Sequence, residues 1–205
     1  MQDIDENPKT ALITGASAGI GQAFAREFAE QGFDVVLVAR REEKLNEIAA
    51  EIKAQYGAMA YVIAANLADP KSPQMIFDNL ASKGINIDAL VNNAGYAIEG
   101  GFIDSDWQEH LDFIQVLNTS LAHLCHLFAT PMKKRQYGRI INIASVAAFS
   151  PQLSGNLYGA AKSFVLDFTQ AIDLELKPHN VFCTALCPGF TYTEFHDTMG
   201  VREAV

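Results

Sequence analysis

The sequence predicts a single α/β domain, in which a doubly wound parallel sheet is covered by helices on both faces to give three layers. Its 205 residues suffice for one complete core, and 49% of them are hydrophobic while only 19% are charged. Short apolar runs alternate with longer helical patterns along the chain. No repeat or linker-like change of composition interrupts this alternation, so we expect residues 1–205 to form one domain.

Strand-like and helix-like segments follow one another in a regular order. Strands alternating with helices of this length form right-handed βαβ units. Gly32 and Pro178 mark the ends of the first and last helix. The predicted strands are residues 10–14, 34–39, 59–64, 89–92, 139–144 and 181–187, and the predicted helices are residues 19–31, 42–56, 71–83, 106–134 and 156–177.

Charge and cysteine usage exclude several classes of protein. A net charge of −9 provides no cationic field for a nucleic acid or a membrane surface. The charge-free runs 113–132 and 140–161 contain too many polar residues to span a bilayer. Three cysteines without a C-x-x-C spacing, behind an acidic and polar N-terminus, indicate a reduced, cytoplasmic protein.

The long helix predicted at residues 106–134 has apolar side chains on more than one face. A helix buried on one side shows one apolar stripe. The helix therefore either lies deep under a neighbouring helix or packs against a second copy of the chain in a homodimer or homotetramer. Leu111, Ile114, Leu117 and Leu121 form one predicted face, and Phe113, Val116 and Leu127 lie around the rest of the helix.

A glycine-rich turn, TGASAGIG at residues 14–21, joins the first strand to the first helix. Glycine lets the main chain approach a pyrophosphate closely, and the helix N-terminus then offers free N–H groups. Glycine also serves plain helix–strand packing, but this strand–turn–helix context favours nucleotide binding. The predicted contacts are Gly15, Ser17, Gly19, Ile20 and Gly21.

Two arginines follow the second strand. An acid there would bind the ribose 2′-hydroxyl of NAD(H), whereas arginine pairs with the 2′-phosphate of NADP(H). Arg40 and Arg41 hold this place, and Glu42 and Glu43 come only after them. We therefore predict NADP(H), the alternative being that both arginines are ordinary solvated charges.

Tyr158 and Lys162 are four residues apart on a predicted helix, so both side chains project from one face. A nearby ammonium stabilises a phenolate and lowers the pKa of tyrosine toward the neutral range. Ser145 follows the fifth strand, at the edge where ligands of such sheets bind, although a serine there is often only a turn residue. Asn118 lies within the long apolar helix, where either a core amide or a functional amide would account for it.

Taken together, these motifs resemble the short-chain dehydrogenase/reductase family, in its single-domain standard branch with a Rossmann-like fold. The turn at residues 14–21, the NNAG at residues 92–95, the PG at residues 188–189 with Thr193, and a tetrad of Asn118, Ser145, Tyr158 and Lys162 match family motifs in order and spacing. The similarity covers almost the whole chain.

The resemblance implies a role for each matched residue. Tyr158 would be the general acid in carbonyl reduction, Lys162 would lower its pKa and bind the nicotinamide ribose, Ser145 would orient the carbonyl, and Asn118 would hold a water of a proton relay. The YxxxK spacing favours reduction of C=O over C=C. The further cofactor contacts implied are Asn92, Ala94, Gly95, Pro188, Gly189, Thr191 and Thr193, besides Tyr158 and Lys162.

Two departures from the family pattern stand out. Asn66-Leu67 replaces the usual acid and aliphatic residue that contact adenine, and an amide still hydrogen-bonds the adenine amino group. Family members usually continue past Thr193 with a lid, a helix and a strand, so residues 189–205 would be the start of a substrate lid and the family's final helix and strand would be absent.

Several further interpretations complete the prediction. His123, Cys125 and His126 suit core or interface packing better than a metal site, so no metal is expected. The leading function is an NADP(H)-dependent oxidoreductase acting on a ketone or secondary alcohol. A non-catalytic nucleotide-binding scaffold and an epimerase of the same superfamily are the alternatives. The predicted pocket walls, which suit a moderately apolar small molecule, are Tyr96, Ala147, Phe149, Leu153 and Phe190.

Overall fold

A computed structural model describes residues 8–150 and 156–189 of the chain. Its centre is one six-stranded sheet in which every pair of neighbouring strands is parallel. The strands are β1 (Thr10–Thr14), β2 (Asp34–Ala39), β3 (Ala60–Ala64), β4 (Ala89–Asn92), β5 (Gly138–Ile143) and β6 (Val181–Leu186).

The strand order is β3-β2-β1-β4-β5-β6, which confirms the doubly wound α/β prediction. The chain leaves β1 toward β2 on one side and later returns to β4 on the other side. The carboxyl ends of β1 and β4 therefore diverge into a crevice, which is where open α/β sheets bind their ligands.

The helices connect the strands and cover both faces of the sheet. On one face, α1 and α2 pack over side chains such as Ile13, Val35 and Leu37. On the other face, α3, α5 and α6 pack over Leu12, Val36 and Leu90. The α-helices are α1 (Gly19–Glu30), α2 (Glu42–Tyr56), α3 (Ser72–Ser82), α4 (Trp107–Ile114), α5 (Ser120–Arg135) and α6 (Tyr158–Leu176).

The two faces explain why the central strands are hydrophobic without alternation. Every residue of β1 is buried, and so are the four middle residues of β2. A strand covered on both faces has no solvent side, so it appears in sequence as a continuous apolar run. Predicted and observed boundaries of the strands differ by one residue at most.

One prediction about the elements is wrong, that of a single helix at residues 106–134. A π-helical turn, Gln115–Thr119, separates α4 from α5. A π turn holds more residues than an α turn, so it rotates the faces of the helix on its two sides relative to each other. Leu111 and Ile114 are consequently exposed, although an unbroken α-helix would have put them on the face of Leu117, which is buried.

Within residues 8–150 and 156–189, no helix combines the length and apolar character that crossing a membrane requires. Two short 3-10 turns, Val146–Phe149 and Lys177–His179, complete the described elements. The first of them follows β5 and opens onto the crevice edge of the sheet.

Candidate active site

The glycine-rich turn is packed too tightly for side chains at two positions. Gly15 has a φ of +65°, and a Cβ there would lie 2.8 Å from Asn93 Nδ2. A Cβ on Gly21 would lie 2.3 Å from the Gly15 carbonyl oxygen. The two glycines therefore let the start of α1 sit directly against the end of β1, which aims the helix N-terminus at the crevice.

The N-terminus of α1 is open toward a ligand. Ala18 is the N-cap residue and supplies no side-chain acceptor, so Gly19 and Ile20 begin the helix without a side-chain cap. Beside them, the guanidinium of Arg41 donates from Nη2 to Ser17 Oγ at 3.1 Å. Helix N–H groups, a hydroxyl and a guanidinium thus meet at one place, a donor set that suits phosphate groups.

The two predicted arginines take different positions. Arg41 bends back over the glycine-rich turn through Ser17. Arg40 is exposed, and its charge acts on the phenol of Tyr96, which lies beyond the end of β4. The end of β2 is therefore cationic on both sides, toward the turn and toward the NNAG segment.

A hydrogen-bonded clamp ties the glycine-rich turn to the NNAG segment. Thr14 Oγ1 accepts from the main-chain N–H groups of Asn93 at 2.9 Å and Ala94 at 3.0 Å. The side chain of Asn93 donates in return to the carbonyl oxygen of Thr14 at 3.0 Å. Sequence analysis assigned no role to Thr14 or Asn93. The signal that could have found them is that both lie inside the matched motifs.

Asn92 lies in a buried polar cluster rather than in the crevice. Its Nδ2 donates to Asn142 Oδ1 at 2.9 Å and to Cys125 Sγ at 3.3 Å. Asn142 donates in turn to Thr169 Oγ1 at 2.9 Å, which links β4, β5 and α6. The amide of Asn92 is therefore engaged in the core, and the cofactor contact predicted for this residue stays a prediction.

Asn66 and Leu67 form the turn after β3 on the adenine side of the predicted site. Asn66 is exposed, and its Oδ1 accepts from the N–H of Ala68 at 3.2 Å. The buried Ser120 donates to the carbonyl oxygen of Leu67 at 2.8 Å, and sequence reasoning did not single it out. The hydroxyl of Ser120 thereby fixes this turn to the start of α5.

The catalytic candidates Ser145 and Tyr158 come together at the crevice. Ser145 is the N-cap residue of the turn after β5, and its Oγ accepts from the N–H of Ala147 at 3.1 Å. Its side chain also shares a hydrogen bond with the hydroxyl of Tyr158, the first residue of α6. A serine on the sheet edge thus holds the tyrosine hydroxyl that the helix presents.

Lys162 lies one helical turn below Tyr158 and is buried. Its Nζ donates to the carbonyl oxygen of Ile143 at 2.7 Å and lies 5.7 Å from the ring centroid of Tyr158. Burial lowers the pKa of Lys162 from 10.5 to about 8, and the charge of Cys187 opposes that change. Low polarity around the ammonium favours its neutral form.

The expected lowering of the pKa of Tyr158 is wrong for the polypeptide by itself. Burial raises this pKa above its ordinary value of 10.0, and the hydrogen bond with Ser145 only partly opposes the rise. Burial is the larger influence on this pKa, while the ammonium of Lys162 donates to the carbonyl oxygen of Ile143 and lies 5.7 Å from the ring centroid of Tyr158. Tyr158 is accordingly held in its protonated form.

Asn118 sits in the π-helical turn and reaches the same helix as the lysine. Its Nδ2 donates to the carbonyl oxygen of Ala161 at 3.0 Å, and the side chain is buried. The contact joins the π-helical turn to α6 at the residue before Lys162. The structure brings all four members of the predicted tetrad to one region of the fold.

The predicted pocket walls and the end of β6 surround this region where they are described. The ring of Tyr96 packs edge-to-face on Phe113 with centroids 5.5 Å apart, and Ala147 and Phe149 belong to the turn after Ser145. The carbonyl oxygen of Pro188 accepts from the N–H of Val146 at 3.0 Å. Gly95 and Gly189 are exposed. The predicted site residues Leu153, Phe190, Thr191 and Thr193 lie outside the described residues.

In the described part of the chain, no group of three or more His, Cys, Asp and Glu side chains is arranged to hold a metal ion. His123 and His126 lie on α5, and Cys125 between them points into the buried polar cluster.

Comparison with known proteins gives a consistent result. The sequence model of the short chain dehydrogenase family matches residues 9–203. Serine 3-dehydrogenase from Agrobacterium fabrum is 36% identical over 190 residues, which are 91% of this chain and 73% of that protein. A short-chain dehydrogenase from Sphingobium yanoikuyae in complex with NADPH is 36% identical with a TM-score of 0.89, over 94% of this chain and 75% of that one.

A second solved structure extends the comparison. The bulky-bulky ketone specific alcohol dehydrogenase from Comamonas testosteroni is 34% identical with a TM-score of 0.86. The match covers 91% of this chain and 74% of that chain.

Proposed function

The chain belongs to the short-chain dehydrogenase family, and on that premise we propose that it is an NADP(H)-dependent oxidoreductase that interconverts a ketone and a secondary alcohol, with Tyr158 as general acid and base. The observation that carries the proposal is the hydrogen bond between Ser145 and Tyr158 at the crevice edge, above the buried amine of Lys162. Such a group moves a proton to or from a substrate oxygen.

The residues at the crevice fit NADP(H). Its pyrophosphate suits the uncapped N-terminus of α1 between Gly15 and Gly21, and its 2′-phosphate suits the guanidinium of Arg41 together with Ser17. Arg40 adds a second positive charge at the same end. When bound, the nicotinamide supplies or accepts the hydride. The NADPH held by the similar Sphingobium yanoikuyae enzyme supports this choice over NAD(H).

The chain's own residues account for the proton. The raised pKa of Tyr158 keeps its hydroxyl protonated at neutral pH, which suits a proton donor in reduction. Ser145 holds that hydroxyl and is placed to donate to the same carbonyl oxygen as negative charge develops there. Lys162, with a pKa of about 8, is placed to exchange a proton near neutral pH behind the tyrosine.

Two finer statements are part of this proposal. Homodimer or homotetramer formation is supported by apolar side chains that α4 and α6 leave exposed, among them Leu111, Ile114 and Phe164. A cytoplasmic location is supported by the free thiols of Cys125 and Cys183, each with a pKa raised to about 12 by burial.

The experiment is NADPH oxidation in the presence of a panel of ketones, with identification of the alcohol formed and a parallel series with NADH. We expect one alcohol per NADPH consumed and a preference for NADPH. Binding of NADPH without turnover of any carbonyl compound would instead favour the non-catalytic nucleotide-binding scaffold.

A further inference from the structure

An apolar wall stands on one side of Tyr158. The ring of this tyrosine packs in a cluster built on Ile98, Phe113 and Leu117, to which Tyr96 and the helix-start residue Leu157 also belong. None of these six side chains carries a charge at neutral pH. Ile98, Phe113 and Leu117 are buried, so the partly buried Tyr96, Leu157 and Tyr158 form the surface of this cluster that a substrate at the Tyr158 hydroxyl would meet.

Exposed apolar side chains continue this surface at the rim. Val146 and Phe149, in the turn that begins at Ser145, are 48% and 66% exposed. The loop after β4 leaves Phe102 and Ile103 exposed at 47% and 89%. This loop adjoins the start of α6, because Asn156 Nδ2 donates to the carbonyl oxygen of Gly100 at 3.4 Å. Large exposed apolar groups around one site indicate an apolar ligand.

Residues 95–114 border the site, and every side chain in this segment that is fully ionised at neutral pH is negatively charged. Residues 95–114 contain five carboxylates and neither lysine nor arginine. The histidine of this stretch, His110, is buried with Nε2 against the carbonyl oxygen of Phe102. Residues 144–161, which include Ser145 and Tyr158, contain no Asp, Glu, Lys or Arg. The five carboxylates belong to Glu99, Asp104, Asp106, Glu109 and Asp112.

This negative field reaches the pocket wall. Burial raises the pKa of the Tyr96 phenol, and the charges of Asp112 and Glu109 raise it further, while Arg40 opposes them to a smaller extent. The buried cation beside the ring of Tyr158, Lys162, is engaged by the Ile143 carbonyl. A substrate carboxylate beside Tyr96 would thus meet net repulsion, because Arg40 offsets the charges of Asp112 and Glu109 only in part.

We propose that the substrate is an uncharged carbonyl compound, or its alcohol, with a bulky apolar substituent, and that carboxylates and other anionic carbonyl compounds are excluded by the charge of residues 95–114. This inference rests on the proposed function and names the class of its substrate.

A matched pair of substrates tests the charge. Methyl 4-oxo-4-phenylbutanoate and its free acid share one aryl ketone and differ in a single negative charge. We expect kcat/KM for NADPH-dependent reduction to be at least about tenfold higher for the ester at low ionic strength, and the ratio to shrink as salt screens the field. Equal rates, or a faster acid, would overturn the inference.

Charge variants locate the effect on the rim. Glu109→Gln combined with Asp112→Asn should raise kcat/KM for the acid several times more than for the ester. Glu47→Gln removes an exposed carboxylate on α2, far from the pocket, and serves as the control that leaves the ester-to-acid ratio unchanged. An unchanged ratio in the double variant would refute the role given to these carboxylates.

Substrate size tests the apolar part, and the outcomes separate the two proposals. Kcat/KM should rise from acetone to cyclohexanone to acetophenone, and Ile103→Ser should reduce it for acetophenone more than for acetone. A preference for acetone would contradict the inference while leaving the oxidoreductase intact. Failure to reduce any ketone with NADPH would instead refute the proposed function itself.

Discussion

Replacing Lys162 by methionine tests the electrostatics of the site without any substrate. The pKa of Lys162 is lowered from 10.5 to about 8 by burial, so the folded chain releases this proton before the unfolded chain does. Below pH 8 Lys162 is protonated in both the folded and the unfolded chain, so burial of its ammonium lowers the free energy of unfolding. Between pH 8 and 10.5 only the unfolded state holds it, so the stability of the wild type rises with pH across this window.

The magnitude follows from the size of the shift. Each pKa unit corresponds to about 1.4 kcal/mol, so the lowering from 10.5 to about 8 is worth about 3 kcal/mol. Lys162→Met has no such proton. The free energy that the variant loses through altered packing and through the missing hydrogen bond to the Ile143 carbonyl is the same at every pH. The free energy of unfolding of the wild type minus that of the variant should therefore increase by about 3 kcal/mol from pH 7 to pH 10.5.

Urea unfolding at several pH values, followed by circular dichroism, measures this difference. Lys53→Met on the exposed side of α2 is the matched control, and its difference from the wild type should stay constant over the same range. Tyr158 on α6 and Cys187 just after β6 also face Lys162, and the variant removes the coupling between the lysine and the charge of Cys187. A flat difference for Lys162→Met would refute the burial argument.

Three other substitutions give smaller and separate tests. Arg41→Ala should weaken NADPH binding by about 10- to 100-fold in a fluorescence titration, since one charge-assisted pair is lost, and should leave NADH binding unchanged. Equal weakening of NADPH and NADH binding would contradict the role given to Arg41. Gly21→Ala places a Cβ 2.3 Å from the Gly15 carbonyl oxygen, so we expect a loss of about 1–3 kcal/mol in urea unfolding together with weaker NADPH binding; wild-type values would show that the turn is looser than described. Thr169→Val deprives the buried amide of Asn142 of its acceptor and should cost about 1–3 kcal/mol, whereas Thr169→Ser should restore most of it; a neutral Val variant would exclude the buried polar cluster as a source of stability.

Elements with one dominant local signal were predictable from the sequence. β1 and β2 are continuous apolar runs because both sheet faces are covered, and the glycine-rich turn follows β1 directly. The π-helical turn Gln115–Thr119 was not predictable, because its residues fit an α-helix by periodicity and propensity alone. Tertiary contacts decide its conformation, including the bond from Asn118 to the carbonyl oxygen of Ala161 in a distant helix.

The members of the candidate site were predictable, but their mutual arrangement was not. Order and spacing along the chain identified Ser145, Tyr158 and Lys162. They could not reveal that the lysine donates to Ile143, nor that burial outweighs the hydrogen bond with Ser145 in setting the pKa of Tyr158. The hydrogen bond of Lys162 and the pKa of Tyr158 both depend on how α6 packs against β5. Hydrophobic periodicity describes each segment separately and carries no information about this contact.

The central claim is that the hydroxyl of Tyr158 delivers the proton in an NADPH-dependent ketone reduction. The most direct measurement compares kcat and the Kd for NADPH of the wild type and Tyr158→Phe, with acetophenone as substrate. We predict that kcat falls by about 100-fold or more, because a general acid is removed, while the Kd for NADPH changes less than about threefold. A Tyr158→Phe protein that reduces the ketone at the wild-type rate would contradict the claim.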